Sequence, residues 1–447
     1  MNATQLWLIW QGILVPLAVG STCRGRQRFV EWVTGLALNV EEHTITQSLV
    51  GLGRPGDWKA LESFAEYGHW DLRLLQWGLA RRLDRLPQRA WHGYRVWAGD
   101  DTKVHRTSSD VWGTCTSHEY TARCPNRAQT VRAHNWVVLG ALLPAEGQPA
   151  HFLPVAGRLY FRRSQLPDPQ KGPPIPFRTK CELLVELGRE HAKACAGKSL
   201  GVFDGAFAVA SVVRPLVAPE APGQPRIDFV TRLRKDARLH LPLPPPPPEP
   251  PPRKPPGRPR VWGKRLAPPR QGGRWPGPWQ EGEAFLYGRR RKVRYKEVLC
   301  RWHVLGADTP VKAVVAKVEG YKKRFTLVSS ATELSGLQVV ELFCARFRQE
   351  DGFRDLKQRL GWEECRAWTR NPIERTTQAL FVTMTALRLL QFELQHQRGD
   401  DWWLHPPWNP HKSRPSVLDV ERLLRQHRAG IQRCLAGWLD SEENAAD

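Results

Sequence analysis

The chain is poor in several things that would give it a quick assignment. Its 447 residues include only 2 Met and 7 Tyr, and its 44 acidic residues are far outnumbered by 67 Lys and Arg. None of its 9 Cys forms a Cys-x2-Cys pair, which removes the usual zinc-ribbon and dithiol signatures. Cys115-x2-His118 with Cys124 comes nearest to a zinc set, but it has no evident fourth ligand and its spacing is poor. An odd, scattered Cys count fits reduced thiols in a cytosol better than a disulfide framework. Long apolar runs are scarce too. The stretch Leu6–Gly20 is preceded by no Lys or Arg, and Gln11 and Pro16 interrupt it. It is short for a membrane span and lacks the basic start of an export signal. The expectation is a cytoplasmic protein with no membrane partner.

What the chain has in excess is positive charge. The formal charge is +23, and the pI is near 10.1. Such a field favours a polyanion, and nucleic acid is the default partner. The 20 Trp residues suit base stacking or core packing, the latter for most of them.

Three carboxylates stand out by their order. Tyr94–Asp100 reads as a strand with Asp100-Asp101-Thr102 at its end. Strands follow at Trp136–Leu143 and at His151–Tyr160, where Pro154 implies an edge or a bulge. A helix near 179–196 precedes a further strand, Ser199–Asp204, which runs into Asp204-Gly-Ala-Phe207. Ser335, with Gln338 three residues on, forms a capping box that opens a helix. On it Val339, Phe343, Arg346, Glu350, Phe353 and Lys357 share one face at steps of three and four. A carboxylate between two cations on an otherwise apolar face is costly unless it has a task. An ion-paired surface helix is the plain alternative, as turn or cap residues are for the two Asp.

Three strands, a helix, a strand and a late helix bearing an acid is the order of a ribonuclease-H-like α/β fold. That order brings Asp100, Asp204 and Glu350 to one sheet edge. Three hard-oxygen ligands suit Mg²⁺, which keeps several of its waters. Two such ions can drive phosphodiester chemistry.

On these residues the chain resembles DDE transposases of the IS4/IS701-like insertion-sequence group. Their late-helix signature, Tyr-x2-Arg-x3-Glu-x6-Lys, is matched in spacing by Phe343, Arg346, Glu350 and Lys357, with Phe for Tyr. The resemblance implies that Asp100, Asp204 and Glu350 hold Mg²⁺ or Mn²⁺, two ions in all, with Asp101 in reserve for Asp100. It implies that Arg346 and Lys357 grip DNA phosphates. It further implies double-stranded DNA as partner (the ends of an element and a target), a homodimer on DNA, and the nucleoid of a bacterial cytoplasm as location. Phe343 departs from the family by lacking the phenol, so the position either loses a phosphate contact or simply packs.

The expected organisation is an N-terminal helical, DNA-binding part over 1–92 and a catalytic part over 93–233 and 330–397. A mainly β insertion occupies 234–329, and a C-terminal loop and helix occupy 398–447. In the first part, helices on either side of Gly51–Gly56 fit a helix-turn-helix or an ordinary hairpin. The Pro-rich stretch Leu241–Arg260 is expected to be an extended basic tether, with Gly257-Arg258-Pro259 similar to a minor-groove hook. An apolar helix near 377–392 is expected against the sheet, and a last helix near 416–438. The rival readings are a transposase-derived DNA-binding protein without catalysis and a ribonuclease-H-like nuclease of repair or defence.

Overall fold

The computed structural model describes residues 1–18, 21–118, 130–166, 174–219, 223–244 and 260–444. Cys124, the body of the Pro-rich stretch and its Gly257-Arg258-Pro259 motif lie outside these residues.

A large mixed sheet with helices on its faces organises the chain. Strands β1 (Ala90–Trp91), β2 (Tyr94–His105), β3 (Cys115–His118), β4 (Thr130–Ala145) and β5 (Gln148–Tyr160) come first. After helix α6 (Lys180–Ala194) come β6 (Ser199–Phe203), α7 (Ala210–Val217), β7 (Ile227–Arg232) and β8 (Leu239–His240). Strands β9 (Gln280–Leu286), β10 (Arg289–Trp302), β11 (Pro310–Val318) and β12 (Phe325–Ser329) complete the set. The order across the sheet is β3-β4-β2-β6-β7-β12-β11-β10-β8. β2 runs antiparallel to β4 and parallel to β6, and β6 runs parallel to β7.

One detail differs from the sequence reading. The first strand does not end at Asp100 but runs on to His105, because β4 is long enough to pair with it as far as Ala133. Of the strands after the Pro-rich stretch, β12 pairs with β7, so they continue the same sheet. The irregularity expected at Pro154 is present: the register with β4 shifts between Leu139 and Gly140, opposite Ala156 and Pro154.

Helices α1 (Ala3–Leu14), α2 (Cys23–Leu38), α3 (Gln47–Leu52), α4 (Trp58–Tyr67) and α5 (Leu72–Asp84) precede the sheet. Helices α8 (Gly336–Ala345), α9 (Phe347–Gln358), α10 (Arg370–Arg398), α11 (Val417–Gln426) and α12 (Arg428–Asn444) follow it. The two ends of the chain pack together: α1 lies against α12 and α10, and α2 against α10, α11 and α12. Arg375 of α10 donates to the carbonyls of Phe64, Ala65 and Gly68 at 3.3, 2.7 and 2.8 Å. These carbonyls lie at the end of α4, where a cation is favoured, and that of Phe64 also accepts the Gly68 N–H at 3.0 Å. The apolar helix expected near 377–392 is the middle of α10, and it packs on β5. Among the described residues no helix is long and apolar enough to cross a membrane.

One packing feature fixes the strands that carry the acids. Trp97 of β2 is fully buried and its indole N–H donates to Ser199 Oγ at 3.1 Å. The ring fills space left by glycines. A Cβ on Gly201 meets it at 2.5 Å, and one on Gly188 of α6 at 2.9 Å. Gly201→Val is therefore expected to lower stability by roughly 1–3 kcal/mol through overpacking. Urea unfolding measures this, and an unchanged midpoint refutes the packing role.

Candidate active site

Successive side chains of a strand point to opposite faces, and β2 uses this to separate its two acids. The Asp101 carboxylate meets Lys180 Nζ of α6 at 2.6 Å. The Asp100 carboxylate faces the other way and meets Arg346 Nη1 at 2.9 Å. Its other oxygen accepts the Asp101 N–H at 2.9 Å. Parallel pairing of β2 with β6 ends at Gly99 and Phe203, so Asp100 and Asp204 stand side by side one residue beyond it. Asp204 turns the chain into a short 3₁₀ segment, Gly205–Phe207. Its carbonyl accepts from Thr231 Oγ1 at 3.2 Å, which ties the turn to β7.

The third acid comes from the far end of the sequence. Ser335 and Gln338 form the expected capping box, with Gln338 N–H to Ser335 Oγ at 3.2 Å and Ser335 N–H to Gln338 Oε1 at 2.9 Å. The expected single helix is two. α8 and α9 meet at Arg346, where the ladder tightens: Arg346 N–H bonds the Phe343 carbonyl at 3.2 Å, and Gln349 N–H bonds the Arg346 carbonyl at 2.9 Å. Both are i to i−3 bonds, the 3₁₀ pattern. Arg346 thereby reaches across to β2 while its Nη2 holds Glu350 at 3.2 Å. Glu350 is about half exposed, and Arg346 is largely buried with 12% of its side chain accessible.

Lys357, at the end of α9, donates to the Lys103 carbonyl at 2.5 Å and lies 3.7 Å from Glu363. Phe343 packs: it is 7% exposed and its ring lies 5.9 Å from the Arg346 guanidinium. A phenol does stand beside this region, on a residue the sequence reading passed over. Tyr287 forms the tight β9–β10 turn with a positive φ of 50°, and its ring packs edge-on against Phe347. Burial, and then Cys344 beside it, push its pKa up. Only the Tyr-Gly turn pattern at 287–288 pointed to it.

Electrostatics follow from this arrangement. Burial pushes the Asp100 carboxyl from 3.8 up to about 6. Arg346 opposes that rise, and the negative charges of Asp101 and Asp204 add to it. Among the described residues no three His, Cys, Asp or Glu side chains are gathered closely enough to hold a metal ion. Asp100 and Glu350 instead share Arg346. The donor set is right for a hard divalent cation, and the negative charge that raises Asp100 is what a cation relieves. Cys115 of the zinc reading is buried, and the Asn135 amide donates to its sulfur at 2.7 Å.

The raised Asp100 has a measurable consequence in the metal-free chain. Between pH 3.8 and about 6 the folded state binds more protons than the unfolded state, so stability is present at low pH and is lost as pH rises through that window. The loss is on the order of 3 kcal/mol. Asp100→Asn is expected to flatten the profile. Chemical unfolding from pH 4 to 7 with chelator present checks it, and the same slope in both proteins contradicts the burial of this charge.

A family model described as DDE superfamily endonuclease matches residues 22–302. That span is well over half of the chain and contains Asp100 and Asp204, while Glu350 lies beyond it. No curated protein matches the chain. The chain belongs to the DDE superfamily endonuclease family.

Proposed function

We propose that this protein is a DNA transposase of the IS4/IS701-like insertion-sequence group, with Asp100, Asp204 and Glu350 as its catalytic carboxylates. The observation that carries the reading is Arg346 bonded at once to Asp100 and Glu350. It joins two of the acids across 250 residues of sequence on one side of the sheet, where Asp204 also stands. The core is read as ribonuclease-H-like. The support is the run of strands β5, β4 and β2 antiparallel, followed by β6 and β7 parallel to β2.

In this reading Asp100, Asp204 and Glu350 hold Mg²⁺ or Mn²⁺. Bound there, the cations supply Lewis-acid stabilisation of charge on the reacting phosphate oxygens. Asp101, paired with Lys180, is left out of that set. Arg346 and Lys357 bind phosphates next to the scissile bond, Arg346 with a planar fork and Lys357 with a point charge. Both make contacts within the chain, so DNA has to replace part of them. Hydrolysis of a phosphodiester at an element end frees a 3′-hydroxyl, and the same residues then align that hydroxyl with a target phosphodiester. The N-terminal helical part and a second copy of the chain hold the paired ends.

The decisive experiment uses the DNA that flanks the reading frame. With Mg²⁺ or Mn²⁺ the wild type is expected to cut its ends. Glu350→Gln is expected to cut roughly a hundredfold or more slowly, the loss of several kcal/mol of charge stabilisation, with binding retained. Full cutting by Glu350→Gln rejects the site, and binding without cutting by the wild type favours the non-catalytic rival. Arg346→Ala and Lys357→Ala are each expected to weaken DNA binding and to reduce the salt slope by about 1. An unaltered slope removes them from the phosphate contacts.

A further inference from the structure

A second charged cavity lies on the other side of α9. Arg348, Asp351 and Asp355, spaced at three and four, share a face distinct from that of Arg346, Glu350 and Lys357. They line a cavity of about 340 Å³, together with His151 of β5, Arg388 of α10, and Lys412 and Arg414 of the segment before α11. The carboxylates here are already matched. Asp351 pairs with Arg348 and Arg354, both at 2.8 Å, and Asp355 pairs with Arg359 at 3.0 Å. Lys412 is held by Asp419 at 2.5 Å.

Two guanidiniums are left over. Among the described residues, neither Arg388 nor Arg414 has a carboxylate within ion-pair distance. Arg414 Nη1 donates to the Pro149 carbonyl at 3.2 Å. Arg388 is flanked by Leu387, Leu389 and Leu390 in the apolar middle of α10, and its Nη1 donates to Gln391 Oε1 at 2.6 Å. Its Nε is shut off from solvent and has no hydrogen-bond partner. Burial, with Asp355 opposing and Arg414, Arg348 and Arg359 assisting, lowers Arg388 to about 10. Burial, and then Arg388, Arg414 and Arg348, keep the His151 imidazole well below its usual range. A cation shut off from solvent with no carboxylate of its own is expensive, as at Arg388; Arg414 is partly exposed, and the carboxylates felt by the two, Asp355 and Asp351, are paired with other arginines.

We propose that this cavity is an oxyanion site that takes a phosphate group between Arg388, Arg414 and Arg348. Two unmatched guanidiniums balance the charge of −1.5 to −2 that a phosphate monoester carries near neutral pH, roughly as in a phosphorylated side chain. Guanidinium forks match phosphate oxygens in pairs. The cavity admits a free phosphate, and it equally admits a backbone phosphate of DNA lying across its mouth. The site is independent of the catalytic reading and survives if that reading fails.

Thermal unfolding of the full-length chain, in inorganic phosphate against chloride at equal ionic strength, tests it. The wild type is expected to show a saturable rise in Tm. At tenfold the Kd the folded-to-unfolded ratio gains about elevenfold. Arg414→Gln and Arg388→Gln are each expected to lose the rise, and Arg24→Gln, which removes an exposed cation of α2, to keep it. If Arg388→Gln does not fold, the partly exposed Arg414 still decides. A short duplex that abolishes the phosphate effect identifies DNA as the natural source, and persistence of the effect identifies a small anion. No saturable rise in the wild type, or a full rise in Arg414→Gln, overturns the proposal.

Discussion

The Arg346 guanidinium between Asp100 and Glu350 is the interaction on which the rest of this site hangs. It is the point at which α8 hands over to α9, and it is also a point, with Lys357, at which the late helices contact β2. Both roles have one cause. An arginine on a straight α-helix would serve Glu350, four residues on, through an ordinary surface pair of small value. The tightening at Arg346 turns the side chain inward, where it is largely buried over Phe343 and where its pairs are less screened. The Phe at position 343 is thus a floor for the guanidinium.

The sheet supplies the complementary constraint. Because side chains alternate along β2, Asp100 and Asp101 cannot serve the same face. Trp97 shares the face of Asp101 and fills the space between β6 and α6, which locks β2 against rotation or slippage. A slip of one residue would exchange the two acids. It would also drive Trp97 away from the glycines that admit it, so the register of the acids is protected by apolar packing beneath them.

Much of this was legible in the sequence, and the illegible parts have identifiable causes. The capping box at Ser335 and Gln338 depends on local geometry alone and appears as read. The strands carrying Asp100 and Asp204 announce themselves as short apolar runs of β-forming residues. The break at Arg346 was hidden because one residue of 3₁₀ geometry leaves the three-and-four spacing intact. The length of β2 was hidden because it is set by its partner β4, a distant segment. The first half of β10 was hidden because Arg289–Arg294 lack an apolar run. In the sheet Arg290, Lys292 and Arg294 alternate outward while Val293 and Tyr295 turn in. Which cation each of Asp100 and Asp101 meets depends on Lys180 and Arg346, distant residues that no local pattern brings to β2.

Charge at the sheet edge carries the argument one step further. Asp101 is paired with Lys180, Asp100 and Glu350 share Arg346, and the charge of Asp204 is felt at Asp100, so negative charge is in excess here. An approaching DNA phosphate adds to that excess and competes for the same guanidinium. A polyanion and a cluster of carboxylates can therefore share this place only if cations enter with the DNA. The net charge of +23 attracts DNA to the surface, but it does not resolve repulsion at contact distance, where each charge is felt individually. In a DNA-cutting enzyme built this way, cation and phosphate affinities are linked, each raising the other by the same factor. In the proposed reading, Arg346 would hold Asp100 and Glu350 together in the absence of cations and would be free to bind a phosphate in their presence.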